Sequence, residues 1–259
     1  MDRVLSVAAA LIAFCLIAPA NALAIDILSA NRSAEVWADY SLDASYWYTS
    51  DFDNDYDGTS QTGVWNRFLE ARTYAIEGAP DGIGEVEIES NIGAGGISFS
   101  SRVLGQGGEY YTSGGDPDDV GSYYYTNEYT SGGGRSDLYV RFNVTAPTPF
   151  TLDFSSTNQP IDRAHSGFVE LIWDRPIFPG APPELPTTEI VMFNLALPRS
   201  SQTIERAGIL LPGEYRFRID HPTGTGNNVG MNVLFVVPEP GTALLLMGGL
   251  AGLATRRRD

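Results

Sequence analysis

Cysteine is nearly absent from this 259-residue chain. The one cysteine, Cys15, lies in an apolar stretch near the N-terminus, and Phe14 precedes it where a lipoprotein signal needs a small residue. If that stretch is removed on export, the rest of the chain has no thiol. Disulfides, thiolate nucleophiles and cysteine metal sites are then excluded.

Histidine is nearly as scarce, and lysine is missing altogether. His165 and His221 are too few for a three-histidine zinc site, and no G-x-S-x-G segment marks a nucleophile elbow. Acidic residues abound, but no carboxylate pair stands out as the acid and base of a glycosidase. We therefore predict that the protein is not an enzyme.

The charge balance is strongly acidic. All 16 basic residues are arginines, against 32 acidic residues. Without the first three residues and the last four, 12 basic and 30 acidic residues remain, and the net charge is −18. Such a field repels nucleic acids and anionic membrane surfaces, so we expect no nucleic-acid partner.

The N-terminus has the layout of a secretory signal peptide. A short basic start is followed by an apolar run over residues 4–18 and by the small-x-small site Ala22-Leu23-Ala24. A second such site ends at Ala22. We predict a signal peptide over residues 1–24, with Ala22 and Ala24 at the cleavage site.

The C-terminus combines three features in a fixed order: a Pro-Glu-Pro segment, an uncharged apolar run over residues 243–254 and three arginines. Residues 241–255 fall short of the about 20 apolar residues that cross a membrane, so we predict a short apolar helix that is marginal as a permanent span. The positive-inside tendency keeps the arginines in the cytoplasm. The residues concerned are Pro238, Glu239, Pro240, Arg256, Arg257 and Arg258.

This ending resembles the PEP-CTERM sorting signal of Gram-negative bacteria, and the resemblance covers residues 238–259 only. It implies that a membrane-embedded protease, the exosortase, recognises the Pro-Glu-Pro segment and cleaves near it. It also implies a transient stay in the inner membrane and delivery to the cell envelope, the cell surface or the extracellular space. Because this sorting system accompanies exopolysaccharide production, exopolysaccharide is a second expected partner.

The body, residues 25–237, is predicted to be all-β. Apolar and polar residues alternate along residues 85–89, 138–143, 150–154 and 215–220, which is typical of strands buried on one face. Glycine- and proline-rich clusters, among them Gly132–Gly134, are interpreted as turns. We predict a single antiparallel β-sandwich of jelly-roll type, with a domain boundary near residues 146–149 as the alternative.

Two segments leave alternatives open. Residues 64–76 fit either an amphipathic helix or a long strand interrupted by a bulge. Residues 105–135 are rich in Gly, Ser, Tyr and Asp, and fit either a long loop or a pair of exposed hairpin strands.

A D-x-D-x-D-G segment suggests a metal site. Asp53, Asp55 and Asp57 would supply three carboxylates of a tight loop, and Thr59 a backbone carbonyl, as in the first half of an EF-hand-type loop. The pattern is incomplete, because Val64 stands where the closing Glu is required. Calcium is thus the one cofactor that the sequence suggests, and an acidic surface turn is the alternative. Another acidic cluster, at residues 116–119, is interpreted as a solvated loop.

Aromatic residues crowd two segments, and they suggest either sugar stacking or core packing. They are Trp37, Tyr40, Tyr46, Trp47, Tyr48, Tyr110, Tyr111, Tyr123, Tyr124, Tyr125 and Tyr129. The hypothesis that follows is an exported, non-catalytic surface or matrix protein associated with polysaccharide. A secreted hydrolase that cleaves polysaccharide with an Asp or Glu pair is the alternative.

Overall fold

The computed structural model describes residues 25–44, 47–76, 78–115, 123–160, 167–176, 187–196, 201–223 and 227–238. The predicted signal peptide with Ala22 and Ala24, the acidic cluster at residues 116–119 and the chain from Glu239 onward, including the predicted C-terminal helix, lie outside these ranges. Within them, no helix is long and apolar enough to cross a membrane.

The described residues form strands joined by short connections. The strands are β1 (Asp26–Ala44), β2 (Trp47–Thr59), β3 (Gly63–Thr73), β4 (Gly82–Gly93), β5 (Gly96–Gln106), β6 (Gly108–Gly115), β7 (Tyr123–Val144), β8 (Thr148–Pro160), β9 (Phe168–Pro176), β10 (Thr187–Ala196), β11 (Gln202–Leu210), β12 (Gly213–Thr223) and β13 (Asn227–Val236).

The strands form two antiparallel sheets that pack face to face, which confirms the predicted β-sandwich. Sheet A has the order β10-β9-β12-β7-β1-β2, and β6 pairs with the first part of β7. Sheet B has the order β11-β8-β13-β5-β4-β3. Strands that precede residues 146–149 pair with strands that follow them in both sheets, as in β7 with β12 and β5 with β13.

The alternation in the sequence explains which face of each strand is buried. In β4, Val86 and Ile88 point into the sandwich while Glu85, Glu87 and Glu89 point outward. The predicted alternations in β7, β8 and β12 are confirmed in the same way, because their apolar members all lie in one hydrophobic core. Each buried side chain of this size stabilises the fold by about 1.5–3 kcal/mol.

The two sheets approach each other closely where glycines face each other. A Cβ atom on Gly84 would lie 2.3 Å from the Gly133 carbonyl oxygen, and one on Gly132 would lie 2.1 Å from that of Ile83. The prediction that Gly132–Gly134 form a turn is therefore wrong. These glycines lie in the middle of β7, where only the lack of a side chain lets the backbones of β4 and β7 approach so closely.

Large aromatic side chains fill the core farther from this contact. Phe142 stacks on Tyr215 with ring centroids 5.4 Å apart, and Phe217 stacks on Phe235 at 5.2 Å. Trp173 is half-buried and packs against this core. The gap between the sheets is thus matched by the size of the side chains that the sequence supplies.

The structure resolves both open alternatives. Residues 64–76 are not a helix: most of them belong to β3, which pairs with β4 without a register shift. Residues 108–115 and 123–130 form the two strands of an exposed hairpin, so the long loop is wrong.

Candidate functional site

The aspartate-rich segment that the sequence predicted as a tight loop is a regular strand, so that prediction is wrong. Residues 53–57 lie within β2 and pair in unbroken register with residues 34–38 of β1. Alternate residues of a strand are about 6.8 Å apart. Calcium ligands, in contrast, converge to oxygen distances of about 2.3–2.6 Å. Asp53, Asp55 and Asp57 therefore follow one another along an extended strand instead of surrounding a central point.

Two of the aspartates, Asp55 and Asp57, also have hydrogen-bond partners within the protein. Arg67 of β3 donates a hydrogen bond to the Asp57 carboxylate across the open edge of the sandwich, and this hydrogen bond lowers the pKa of Asp57. The Asp55 carboxylate accepts a hydrogen bond from its neighbour's backbone, Tyr56 N, at 2.8 Å. The part of the chain that the structure describes contains no group of three or more His, Cys, Asp and Glu side chains placed to hold a metal ion. Calcium binding that involves Thr59 and the three aspartates stays a prediction.

The two aromatic-rich segments of the sequence come together on the outer face of sheet A. The strands β2, β1, β7 and β6 lie side by side, and their pairing defines rows of outward-facing residues across the sheet. Six consecutive rows each carry an aromatic residue, and we call this set the aromatic track. Its members are Tyr56, Trp37, Phe52, Tyr129, Tyr111 and Tyr125, in row order.

The track is long and accessible. Successive rows are about 6.8 Å apart, so six rows extend over about 34 Å. Phe52, Tyr56 and Tyr111 are each at least 58% exposed, and Tyr129 is 46% exposed. Apolar surface left open in this way marks a binding face more often than chance exposure.

Two glycines let rings of the track lie flat on the sheet. Trp37 pairs with Gly133, and a Cβ atom there would lie only 2.6 Å from the Trp37 ring. A Cβ atom on Gly58 would lie 2.9 Å from the Tyr56 hydroxyl and 3.4 Å from its ring. Both rings thus occupy the space above a glycine, which favours a planar surface over upright side chains.

Oxygen acceptors lie between the rings. Glu35, Asp39 and Asp43 occupy the same outer face of β1. The Tyr125 hydroxyl donates to the Asp43 carboxylate at 3.3 Å, and the negative charge of Asp43 raises the pKa of Tyr125. Flat apolar rings with carboxylates beside them suit a ligand that has apolar faces and hydroxyl donors.

Not every predicted aromatic belongs to the track. Tyr40 points inward and is 4% exposed, so core packing is the right interpretation for it. Tyr110, which alternates with Tyr111 along β6, faces the other side of the sheet and pairs with buried Glu128. Tyr46 and the side chains of Trp47, Tyr48, Tyr123 and Tyr124 lie outside the described part of the structure.

A carboxylate pair lies one row beyond the track. Asp137 of β7 and Asp220 of β12 are directly opposite each other, in the row next to that of Tyr56. The Arg135 Nε donates to both carboxylates, at 3.0 and 3.1 Å. Burial raises the pKa of Asp137 to about 6 against the opposing effect of Arg135.

Sequence reasoning missed a buried Ser–His group. The Ser101 hydroxyl lies 2.5 Å from the Ser136 hydroxyl and 2.9 Å from Nδ1 of His221. All three residues are at most 3% exposed and lie between the sheets, so a substrate cannot reach the serine hydroxyls. The group joins sheet A to sheet B through hydrogen bonds.

The sequence also did not predict two buried charged residues whose hydrogen bonds hold loops in place. Arg32 is 1% exposed and donates to the carbonyl oxygens of Gly63, at 2.8 Å, and of Gln61, which holds the connection between β2 and β3. The buried Glu128 carboxylate accepts backbone hydrogen bonds from Gly78 and Ala79, both at 2.8 Å. A single arginine or glutamate in a strand gives no sequence signal for such roles.

The sandwich ends where the predicted sorting segment begins. Val237 donates its backbone N–H to the Gly95 carbonyl at 3.0 Å, and the half-buried Pro238 follows. Glu239, Pro240 and the three terminal arginines lie outside the described residues.

Comparison with known proteins identifies this ending and little else. The family model described as the PEP-CTERM protein-sorting motif matches residues 236–258, which confirms the sorting signal predicted from the sequence. No curated protein matches the chain. A solved structure, the enzymatically active domain of tailspike protein 4 from bacteriophage CBA120, aligns with 10% identity and a TM-score of 0.24. The alignment covers 54% of this chain and only 19% of the tailspike chain, and a similarity this low supports no conclusion.

Proposed function

We propose that this PEP-CTERM protein, which is exported and sorted to the cell envelope, is a non-catalytic cell-surface or matrix protein that binds neutral polysaccharide. The observation that carries the proposal is the aromatic track, with an outward aromatic residue in each of six consecutive rows. A sugar ring has an apolar face that stacks on an aromatic plane, and its rim of hydroxyls donates to oxygen acceptors. An elongated track suits a polymer better than a single sugar.

The charge of the protein supports a neutral ligand. The 30 acidic and 12 basic residues of the chain without its ends produce a field that repels anionic polymers. Glu35, Asp39 and Asp43 place negative charge beside the rings themselves. Uronic-acid and sulfated polysaccharides therefore bind weakly in this proposal, and exopolysaccharides without acidic groups bind best.

Calcium is an optional part of the proposal. If Asp55 and its neighbours in β2 bind an ion, they do so at the edge strand of sheet A, next to the row of Tyr56. The ion would then stabilise the strand that carries Phe52 and Tyr56.

One observation favours the alternative, a polysaccharide hydrolase. Asp137 and Asp220 form a pair of carboxylates at the end of the track, and a pair of Asp or Glu residues is the usual catalytic set in glycoside cleavage. Against this role, both carboxylates accept hydrogen bonds from Arg135, so neither is free to attack or to protonate a sugar. We therefore favour binding without turnover.

Affinity gel electrophoresis tests both functions with the exported protein. The gels contain dextran, hydroxyethyl cellulose or glucomannan as neutral polymers and alginate as the anionic control. Retardation by at least one neutral polymer, with little by alginate and no release of reducing ends, supports the proposal. Release of reducing ends that disappears in Asp137→Asn would establish the hydrolase instead, and equal migration in all gels would contradict both functions.

A further inference from the structure

A second surface with saccharide-binding chemistry lies on the opposite side of the molecule. The outer face of sheet B has a groove of about 500 Å³ that runs across its strands. Short side chains form its middle, and buried Phe99 and Phe154 contribute to its floor. Besides buried Ser90, the polar residues that line it are Glu89, Asn91, Ser98, Ser100, Asp153, Ser155, Thr203 and Asn232.

Strand register explains why a groove forms at this point. Ser100 of β5 pairs with Glu89 of β4 on one side and with Asn232 of β13 on the other, and Asn232 pairs with Ser155 of β8. Serines therefore stand between longer side chains in the same row. Since neighbouring strands are about 4.8 Å apart, a row from β3 to β11 spans about 24 Å.

The polar groups of the groove are available to a ligand. Within the described residues, the side chains of Ser98, Ser100, Ser155 and Asn232 make no hydrogen bond or ion pair. Hydroxyl and amide groups in this state pair with water in the free protein and can exchange it for the hydroxyls of a sugar.

The charges and the rims of the groove select the same class of ligand as the track. Its lining contains two acidic residues, Glu89 and Asp153, and no basic one. Val64 and Leu234, which are 68% and 45% exposed, supply apolar contacts at its sides. An anionic chain is repelled, while a neutral saccharide finds donors, acceptors and apolar surface.

We infer that the groove on sheet B is a second binding site for neutral saccharide chains, so that one molecule bridges two polysaccharide chains. This inference rests on the proposed function of the aromatic track. The track and the groove lie on opposite outer faces of a two-sheet sandwich, so one polymer segment cannot lie flat on both. A molecule that binds at both sites at once therefore cross-links two polymer chains. The avidity of such binding depends on a geometry that lets both sites be occupied together.

The test uses beads coated with a neutral polysaccharide that retards the protein, three forms of the exported protein and one control variant. The first form is wild type. The second has a filled groove, Ser100→Tyr, with Gln106→Tyr as its matched control, because Gln106 is exposed on the same face of β5 about 20 Å away. The third has a reduced track, Phe52→Ala with Tyr56→Ala. Melting temperatures close to that of wild type confirm that each form is folded, and Ser100→Gln replaces the tyrosine if that variant fails to fold.

We expect wild type and Gln106→Tyr to bind and aggregate the beads, and the other two forms to bind them without aggregation. Two results would overturn the bridging inference and leave the track intact: aggregation by the groove-filled protein at the wild-type level, or no binding at all by the track variant. The opposite pattern, in which only the groove-filled protein loses binding, would overturn the track proposal and leave the groove as the binding site.

Discussion

Asp137 and Asp220 lie directly opposite each other on β7 and β12, and Nε of Arg135 donates a hydrogen bond to each of the two carboxylates. Like charges in directly opposed positions destabilise a sheet. Arg135 therefore offsets the repulsion between the two carboxylates, and the protonation state of Asp137 affects the stability of the fold.

Asp137 makes stability fall as the pH rises. Burial raises its pKa to about 6 in the folded protein, against an ordinary value of 3.8. The folded state thus binds the proton more tightly, and this stabilisation is complete at low pH and is lost as the pH rises from about 4 to 6. Because the side chain is one-third exposed, we expect the loss to be about 1 kcal/mol.

Urea denaturation at pH 4, 5, 6 and 7 checks this prediction. The free energy of unfolding of Asp137→Asn, relative to wild type, should increase over that range. Asp220→Asn should show a smaller effect in the same direction, since it removes the like charge and leaves Asp137 itself. A constant difference between Asp137→Asn and wild type from pH 4 to 7 would contradict the prediction.

Arg32 and Arg67 form a matched pair for the second prediction. Both guanidinium groups lie over Trp65, at 5.6 and 5.7 Å from the ring centroid, but Arg32 is buried and Arg67 is exposed. Burial lowers the pKa of Arg32, yet its hydrogen bonds to backbone carbonyls hold the connection between β2 and β3. We expect Arg32→Met to lower the free energy of unfolding by about 2–4 kcal/mol.

Arg67→Met should leave the melting temperature nearly unchanged, because exposed ion pairs contribute little. Thermal denaturation of the two variants side by side gives the comparison. Equal destabilisation by both substitutions would show that contact with Trp65, and not the buried hydrogen bonds, accounts for the role of Arg32.

Calcium binding by the aspartate-rich strand is a third prediction. If Asp53, Asp55 and Asp57 bind the ion, millimolar Ca²⁺ should raise the melting temperature of wild type but not of Asp55→Ala. Asp153→Ala, which removes an exposed aspartate from sheet B, is the control and should respond as wild type does. A melting curve of wild type that Ca²⁺ does not shift would end the calcium hypothesis.

Processing at the C-terminus gives a fourth prediction. The sorting motif begins at residue 236, at the end of β13, so cleavage near Pro240 would leave the sandwich complete. Intact-mass measurement of the exported protein should show the loss of the apolar run and of Arg256, Arg257 and Arg258. Recovery of these arginines on the mature protein would contradict processing at this site.

The fold was largely predictable because burial of apolar side chains dominates folding. In a strand buried on one face, this makes apolar and polar residues alternate along the sequence. Residues 85–89 are an example, since their alternation survives in β4 as outward Glu and inward Val and Ile. The failures have a common physical cause. Glycine and aspartate favour turns in isolation, but long-range pairing overrode that preference in Gly132–Gly134 of β7 and in residues 53–57 of β2.

The sequence could not predict which aromatic residues form the aromatic track. The aromatic residues were visible, but which of them share a face depends on the register of β1 with β2 and β7, and of β6 with β7. A shift of one residue in any of these pairs would turn Trp37 or Tyr111 to the other side of the sheet. The pairing of β1 with β7 in particular joins residues as distant in sequence as Trp37 and Gly133, so no local sequence pattern indicates it.

The most direct test of polysaccharide binding by the track compares two phenylalanines of equal exposure. Phe52 belongs to the track and Phe68 lies on the outer face of sheet B, and both are 58% exposed. Dissociation constants for one neutral polysaccharide should rise about tenfold in Phe52→Ala combined with Tyr56→Ala, since each lost stacking contact costs about 0.5–1.5 kcal/mol. Phe68→Ala should bind as wild type does. Unchanged affinity in the double variant, or equal weakening by Phe68→Ala, would contradict a role of the track in binding.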